Sequence, residues 1–235
     1  DEIVYVDCES HDNSIEVAKN QGCKVFSRPN NSNLNINKSY AINQATSEWI
    51  FYLDPDERIP EKLVYEIIKV VNDTINSAFK MKRRNHCFGV WLKYGSQYPD
   101  EQIRLFRKNS AIFPKKHVHE KLTVNGKVGA LGNDLHHFPY LNISQFLRKF
   151  DFYTGVEAGY LRDAGISITF ANTLKFLVLK PFPRFIRRYF FKGGFLDGLP
   201  GLFFAIFDAL NFAVRYFKLW ELTKTSNTNG KTIID

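Results

Sequence analysis

Cysteine is scarce in this 235-residue chain. Cys8, Cys23 and Cys87 are odd in number and fall at no metal-ligand spacing, so neither a disulfide framework nor a zinc site organises the fold. They suit a reducing cytoplasm. A basic, Gly-rich loop of the kind that cradles a triphosphate is missing, which speaks against a nucleotidyltransferase. The basic run Lys80, Lys82, Arg83 and Arg84 forms no recognised nucleic-acid motif, so nucleic acid is not an expected partner. Repeats are lacking, and the one biased stretch is the Asn-rich loop from Asn30 to Asn35. An uninterrupted apolar run is missing too. The best window, Phe195 to Val214, carries Asp197 and Asp208, and Gly198, Pro200 and Gly201 lie near its start. A charge at mid-bilayer is costly, so a true span is the lesser reading beside an in-plane or protein-buried helix hairpin. Asp1 and Glu2 lead into the apolar strand Ile3 to Val6 with neither an initiator Met nor a signal peptide. The expectation is a fragment that lacks at least one preceding strand.

What is present is enough chain for one moderate α/β domain and an appendage. The net charge is +8. Its second concentration, Lys175 to Lys192, is interleaved with Phe, Leu and Tyr. Cations mixed with large apolar side chains point to an anionic membrane surface.

Short apolar runs alternate with amphipathic stretches up to about Asn76, as parallel βαβ units do. Ile3 to Val6 reads as a strand, Ser14 to Gln21 as a helix closed by Gly22, and Lys24 to Ser27 as a second strand. A helix from Ile36 to Ala45 and the strand Trp49 to Leu53 follow, then a helix that opens at Pro60 and repeats through Val71. From Ser77 to His137 the texture is mixed or antiparallel sheet, with a hairpin-like turn signal at Asn125-Gly126. Beyond Ile143 the pattern is helical, and the tail from Thr223 to Asp235 is polar and expected to be disordered.

Asp54 and Asp56 stand two apart directly after a strand, and in extended backbone that spacing points both carboxylates to one side. Such a pair can share Mg²⁺ or Mn²⁺ with substrate phosphates at the carboxyl edge of a sheet. Pro55 stiffens the turn. An acidic loop capping the Pro60 helix explains the same spacing equally well. Asp7 also follows an apolar strand and could accept hydrogen bonds from a base or ribose, whereas Asp12 is more simply a helix cap.

Three runs carry a family resemblance: Asp1 to Asp12, Asn37-Lys38-Ser39-Tyr40-Ala41, and Trp49 through Asp54-Pro55-Asp56-Glu57-Arg58. So do Tyr98-Pro99-Asp100-Glu101-Gln102-Ile103-Arg104-Leu105-Phe106, Val118-His119-Glu120 and Gly194 to Gly198. Together, and in this order, they resemble the family 2 glycosyltransferases of GT-A fold, in particular the bacterial branch acting on lipopolysaccharide core and envelope glycans. Two departures stand out. The family's opening nucleotide-contacting segment is missing, and Asp-Pro-Asp replaces the usual Asp-Ala-Asp.

The resemblance implies an α/β, Rossmann-like nucleotide-sugar-binding core with a mixed sheet over residues 1–140. A C-terminal helical, membrane-associating region over 141–222 and the tail 223–235 would follow. It implies Asp7 on the nucleobase, Lys38 near the base or diphosphate, Asp54 near ribose and metal, Asp56 on the metal, and Asp100 as base. Glu120 and Glu101 are further candidates for the base. Arg104 would contact the diphosphate or acceptor, or simply pair with Asp100 or Glu101 across the sheet. His117 and His119 lack further ligands at zinc spacing, and His136-His137 reads as structural.

The implied reaction is inverting transfer from a nucleotide-sugar to a lipid-linked or lipopolysaccharide hydroxyl. It would take place on the inner face of the bacterial cytoplasmic membrane. The competing readings are a nucleotidyltransferase and a non-catalytic basic module binding membrane or nucleic acid; the latter has no need of Asp54 and Asp56.

Overall fold

A computed structural model describes residues 2–31, 34–72, 74–113 and 122–228. In chain order the N-terminal stretch holds β1 (Val4–Asp7), α1 (Ser14–Asn20), β2 (Lys24–Ser27), α2 (Leu34–Gln44), β3 (Trp49–Phe51), β4 (Glu57–Arg58) and α3 (Glu61–Asn72). Then come β5 (Ala78–Cys87), β6 (Val90–Trp91), β7 (Asp100–Arg107), β8 (Ala111–Ile112), β9 (Thr123–Val124), β10 (Val128–Ala130) and β11 (Leu135–Tyr140). The helical stretch holds α4 (Ile143–Asp163), α5 (Phe170–Leu174), α6 (Pro181–Ile186) and α7 (Gly198–Thr228). The protein is α/β, with parallel and antiparallel strand pairs and a helical C-terminal region.

Two compact units form, one from Asp1–Lys82 with Glu101–Leu135, the other from Arg83–Asp100 with His136–Asp235. The division does not fall at a single point near residue 140. Residues 83–100 belong with the C-terminal helices.

In the first unit β1 and β2 pair in parallel, Val4 opposite Lys24, around the α1 crossover. Helix α1 stops because Gly22 adopts φ +74°, the left-handed region that a glycine enters without a Cβ penalty. Strand β3 pairs antiparallel with β7, Ile50 opposite Phe106. Helix α3 turns Leu63, Ile67, Val70 and Val71 onto Phe79, Met81, Leu105, Leu131 and Leu135, the apolar stripe its periodicity predicts. A second cluster joins Ile42 of α2 to Ile50, Phe106 and Phe113.

Asn125-Gly126 makes a turn but not a hairpin. β9 pairs antiparallel with β8, whereas β10 pairs in parallel with β5. The reason is a close approach: Gly126 has φ +117°, and a Cβ there would lie 2.1 Å from Ser77 Oγ. Contact with a residue distant in sequence therefore overrides the local turn preference.

In the second unit Asn142 caps α4, its Oδ1 accepting from Gln145 N–H at 2.8 Å, while Gln145 Oε1 accepts from Leu141 N–H at 2.8 Å. π turns at Lys175–Leu179 and Arg187–Phe191 flank α6. Pro181 and Pro183 lack a donor and crowd the carbonyls four residues earlier, which favours a widened turn before α6. Asp197 receives the backbone N–H groups of Lys93 and Tyr94 at 3.1 and 2.8 Å. α7 packs along α4 and α6 through a face that includes Phe204, Ala205, Ala209, Tyr216 and Leu219. It runs to Thr228, so residues 223–228 are helical where their polar composition predicts disorder; residues 229–235 lie outside those described.

Candidate active site

Strand β3 delivers its acids through a turn. Tyr52 N–H donates to the Arg104 carbonyl at 2.8 Å, carrying the β3–β7 pairing one step past Phe51. The chain then reverses, with Glu57 N–H on the Asp54 carbonyl at 3.0 Å. Pro55 and Asp56 occupy the two central positions, and Pro suits the first of these because its φ is preset. Asp54 therefore opens a turn and Asp56 sits inside it, instead of the two sharing one side of an extended backbone.

Arg104 governs this turn. Its side chain is 5% exposed, and its Nη2 meets Asp54 Oδ2 at 2.8 Å and also Glu57 Oε1. The guanidinium lies over the Tyr52 ring at 4.2 Å. Glu57, 1% exposed overall, also accepts Asp54 N–H through Oε2 at 3.0 Å. From α2, Lys38 Nζ reaches Asp54 Oδ1 at 3.2 Å and donates to the Tyr52 hydroxyl. That hydroxyl in turn donates to the Asp54 carboxylate, at 2.8 Å from Oδ1 and 2.9 Å from Oδ2. Of the roles open to Arg104, pairing with an acid is realised, but the acids are Asp54 and Glu57 rather than Asp100 and Glu101.

Burial disfavours the Asp54 carboxylate, yet Arg104 and then Lys38, with hydrogen bonds from Tyr52 and Lys38, outweigh it and hold this acid below the ordinary range. Burial drives the Tyr52 hydroxyl the other way, upward, so it stays a proton donor to Asp54 at neutral pH.

A second group gathers at the end of β1. Asp7 is 3% exposed; its Oδ2 accepts Ser10 N–H at 3.2 Å, and its Oδ1 has no partner among the described residues. Asn37 of α2 donates through Nδ2 to Cys8 Sγ at 3.0 Å and to the Pro29 carbonyl at 3.4 Å. Its Oδ1, also buried, has no partner among the described residues. Buried oxygens without donors are costly, and a ligand N–H or O–H would satisfy them. Asp12 accepts Ser14 N–H at 3.0 Å ahead of α1, as a local turn residue does.

Lys38, Asp54 and Arg104 are thus brought together, and Asp7 and Asp56 belong to the same unit. Asp100 belongs to the second unit, where Arg83 Nε and Nη2 donate to its Oδ2 at 2.9 and 2.6 Å. Glu101 pairs with Lys80 at 2.8 Å, both half-exposed. Glu120, His117 and His119 lie outside the described residues. His137 Nδ1 contacts Asn85 Oδ1 at 2.7 Å. The sequence alone assigns no role to Tyr52, Glu57 or Asn37. For Glu57 a signal exists, since an acid next to a strand-end Asp-Pro-Asp is a candidate for holding the turn's backbone.

The Asp54 network sets an acid limit. Because this carboxyl sits lower in the folded than in the unfolded chain, its contribution to stability is full above the unfolded value of about 3.9 and fades as pH falls toward the folded value. Urea unfolding from pH 7 downward should show stability falling below about pH 4, and the fall should be shallower in Asp54→Asn. An identical pH slope in both proteins would remove the ion-pair role.

With this geometry established, likenesses to known proteins bear on it. The family described as Glycosyl transferase family 2 matches residues 1–125. An uncharacterized glycosyltransferase of Rickettsia typhi is 28% identical over 251 residues, covering 96% of this chain and 80% of the relative. The lipopolysaccharide core biosynthesis glycosyltransferase LpsC of Rhizobium meliloti is 24% identical over 191 residues, covering 76% of this chain and 68% of LpsC. Among solved structures, S. aureus TarS 1–349 in complex with UDP-GlcNAc is 14% identical at a TM-score of 0.46, with 99% of this chain and 84% of that one covered. The match over residues 1–125 spans more than half of the chain, and the protein belongs to the family 2 glycosyltransferases.

Proposed function

We propose that the protein moves a sugar, with inversion, from a nucleotide-sugar to a hydroxyl of a lipid-linked or lipopolysaccharide acceptor, in the presence of Mg²⁺ or Mn²⁺. One observation carries the donor assignment: the unit that holds the Asp54–Asp56 turn also holds the buried Oδ1 atoms of Asp7 and Asn37, which have no partner among the described residues. These are acceptors awaiting the N–H and O–H groups of a nucleoside. The lipopolysaccharide assignment is supported by the similarity to LpsC.

Among the described residues no three His, Cys, Asp or Glu side chains gather as a metal cage. A divalent ion shared with a diphosphate needs only one or two carboxylates, so the turn fits it. Asp54 is engaged by Lys38, Tyr52 and Arg104. The family resemblance makes Asp56 the main protein ligand, with Asp54 secondary. Bound there, the ion would offset charge developing on the leaving diphosphate.

In the transfer itself the acceptor oxygen bonds to the anomeric carbon from the face opposite the diphosphate. The bond to the diphosphate oxygen breaks, and the hydroxyl proton passes to Asp100. Arg83 Nη2 meets Asp100 Oδ2 at 2.6 Å and fixes its orientation. Thermal-shift titration should show stabilisation by a nucleotide-sugar that requires Mn²⁺ and is lost in Asp56→Ala. Asp100→Asn should keep the shift while kcat falls by about 10²- to 10⁴-fold. Transfer unchanged in either variant would contradict the role assigned to it.

The acceptor's lipid would be met at the membrane surface, on the cytoplasmic side. Phe170, Phe182, Phe191, Leu196 and Leu199 are exposed. Residues 170–199 carry Lys175, Lys180, Arg184, Arg187, Arg188 and Lys192 against the single acid Asp197. Each cation near an anionic surface contributes on the order of 1 kcal/mol. The helix Gly194–Lys224 is long and apolar enough to cross a membrane. However, Asp208 within it pairs with Arg184 and Arg188, which favours packing in the plane. Co-sedimentation with phosphatidylglycerol-containing vesicles should exceed that with pure phosphatidylcholine and should drop in Arg187→Glu/Lys192→Glu. Equal binding to both vesicle types would refute an electrostatic surface contact.

A further inference from the structure

Between β6 and β7 the chain runs from Leu92 to Pro99 before it re-enters the sheet at Asp100. Its backbone there is unusual. Gly95 and Ser96 are both left-handed, at φ +59° and +65°. Glycine enters that region freely, whereas the Cβ of a serine crowds the following carbonyl. Such a conformation persists only where the surroundings over-determine it, and residues held in this way gather at functional sites.

The surroundings come from the stretch that joins α6 to α7. Asp197 accepts Lys93 N–H through Oδ1 at 3.1 Å and Tyr94 N–H through Oδ2 at 2.8 Å. Gly95 N–H donates to the Lys192 carbonyl at 2.9 Å, and Arg188 Nε donates to the Gly95 carbonyl at 2.7 Å. Three successive residues therefore give their backbone N–H groups to one partner element. The contact is close as well as polar. A Cβ on Gly194 would lie 2.8 Å from the Arg188 carbonyl oxygen, and one on Gly95 would lie 3.4 Å from Gly194 Cα.

From this clasp the connections run on to Asp100. Gln97 N–H donates to the Tyr94 carbonyl at 2.9 Å. The Gln97 carbonyl accepts from Asn85 Nδ2 at 2.8 Å, and that amide nitrogen is also 3.5 Å from Asp100 Oδ2. Arg83 grips the carboxylate from β5, while the clasp sets the path of the chain that delivers it.

We infer that Asp197 is a positioning residue for the transfer step: by pinning Lys93 and Tyr94 to the C-terminal helices it holds the strained Gly95-Ser96 turn and so fixes where Asp100 enters β7. The stretch between α6 and α7 then serves the chemistry and is more than a membrane contact. The inference rests on the reading of Asp100 as the base. Asp197 itself touches no reacting atom.

Turnover of the full chain with Mn²⁺ tests it, read as nucleoside diphosphate released from UDP-glucose, UDP-galactose, UDP-N-acetylglucosamine or GDP-mannose with rough lipopolysaccharide as acceptor. Asp197→Ala should lower kcat by about 10- to 100-fold and leave the donor KM and the donor thermal shift unchanged. Asp197→Asn, which keeps the volume and one acceptor oxygen, should lose less. Binding to phosphatidylglycerol vesicles should persist in both variants and reports that the helices are folded. Amide hydrogen exchange over residues 93–97 should quicken by about tenfold or more in Asp197→Ala. In Asp197→Ala/Ser96→Gly, glycine takes the left-handed turn with no clasp to enforce it and should restore kcat by about fivefold, a repair that general loss of packing would not permit. No release by the unsubstituted protein, or undiminished release in Asp100→Asn, would sink the reading beneath the inference and the inference with it. Where Asp100→Asn is inactive, the inference alone is overturned if Asp197→Ala keeps its kcat, if its exchange is unchanged, or if Ser96→Gly restores nothing.

Discussion

The neutralisation of one buried cation organises the first unit of this protein. Arg104 is 4% exposed and fully charged, and the chain must supply acids within reach of it. It does so with Asp54 and Glu57, which lie at either end of the turn leaving β3. Removing one partner of such a pair typically costs about 3–5 kcal/mol, because a charge is left buried and uncompensated. The path of the chain between β3 and α3 is therefore fixed from within the first unit, by a residue on β7. Tyr52 completes the arrangement by stacking on the guanidinium and donating to Asp54.

This arrangement divides labour within the acidic motif. The residue of the Asp-Pro-Asp-Glu run that is most deeply buried, Glu57, has a structural task, and Asp54 shares in it. Asp56 sits inside the turn that these contacts hold. The second unit repeats the pattern with Arg83 on Asp100 and Arg188 on Asp208. In each case a guanidinium pairs with a carboxylate and fixes its orientation.

Much of the fold was legible because its signals are local. Gly22 ends α1, the apolar stripe of α3 meets its core, and the apolar run ending at Asp7 forms a strand. What the sequence hid were pairings across long separations. Asp54 and Arg104 are fifty residues apart, and nothing near either residue announces the other. Asn125-Gly126 reads as a hairpin until Ser77 is found pressed against Gly126. The extended placement of Asp54 and Asp56 fails for a local reason: Pro55 favours the turn that Glu57 N–H closes. The division into units was hidden because its boundary falls inside strand β5, between Lys82 and Arg83, where no sequence signal marks it. Family membership, by contrast, was readable from the ordered set of motifs, which is far more specific than the Asp-Pro-Asp run alone.

The central claim is that the fork of Arg104 shapes the acidic turn for donor binding. Calorimetric titration of a nucleotide-sugar with Mn²⁺ into Arg104→Lys tests it most directly. Lysine keeps the charge but cannot bridge two carboxylates in the same geometry. Donor affinity should weaken by about tenfold or more in a protein that still folds. Affinity equal to that of the unsubstituted protein would contradict the account.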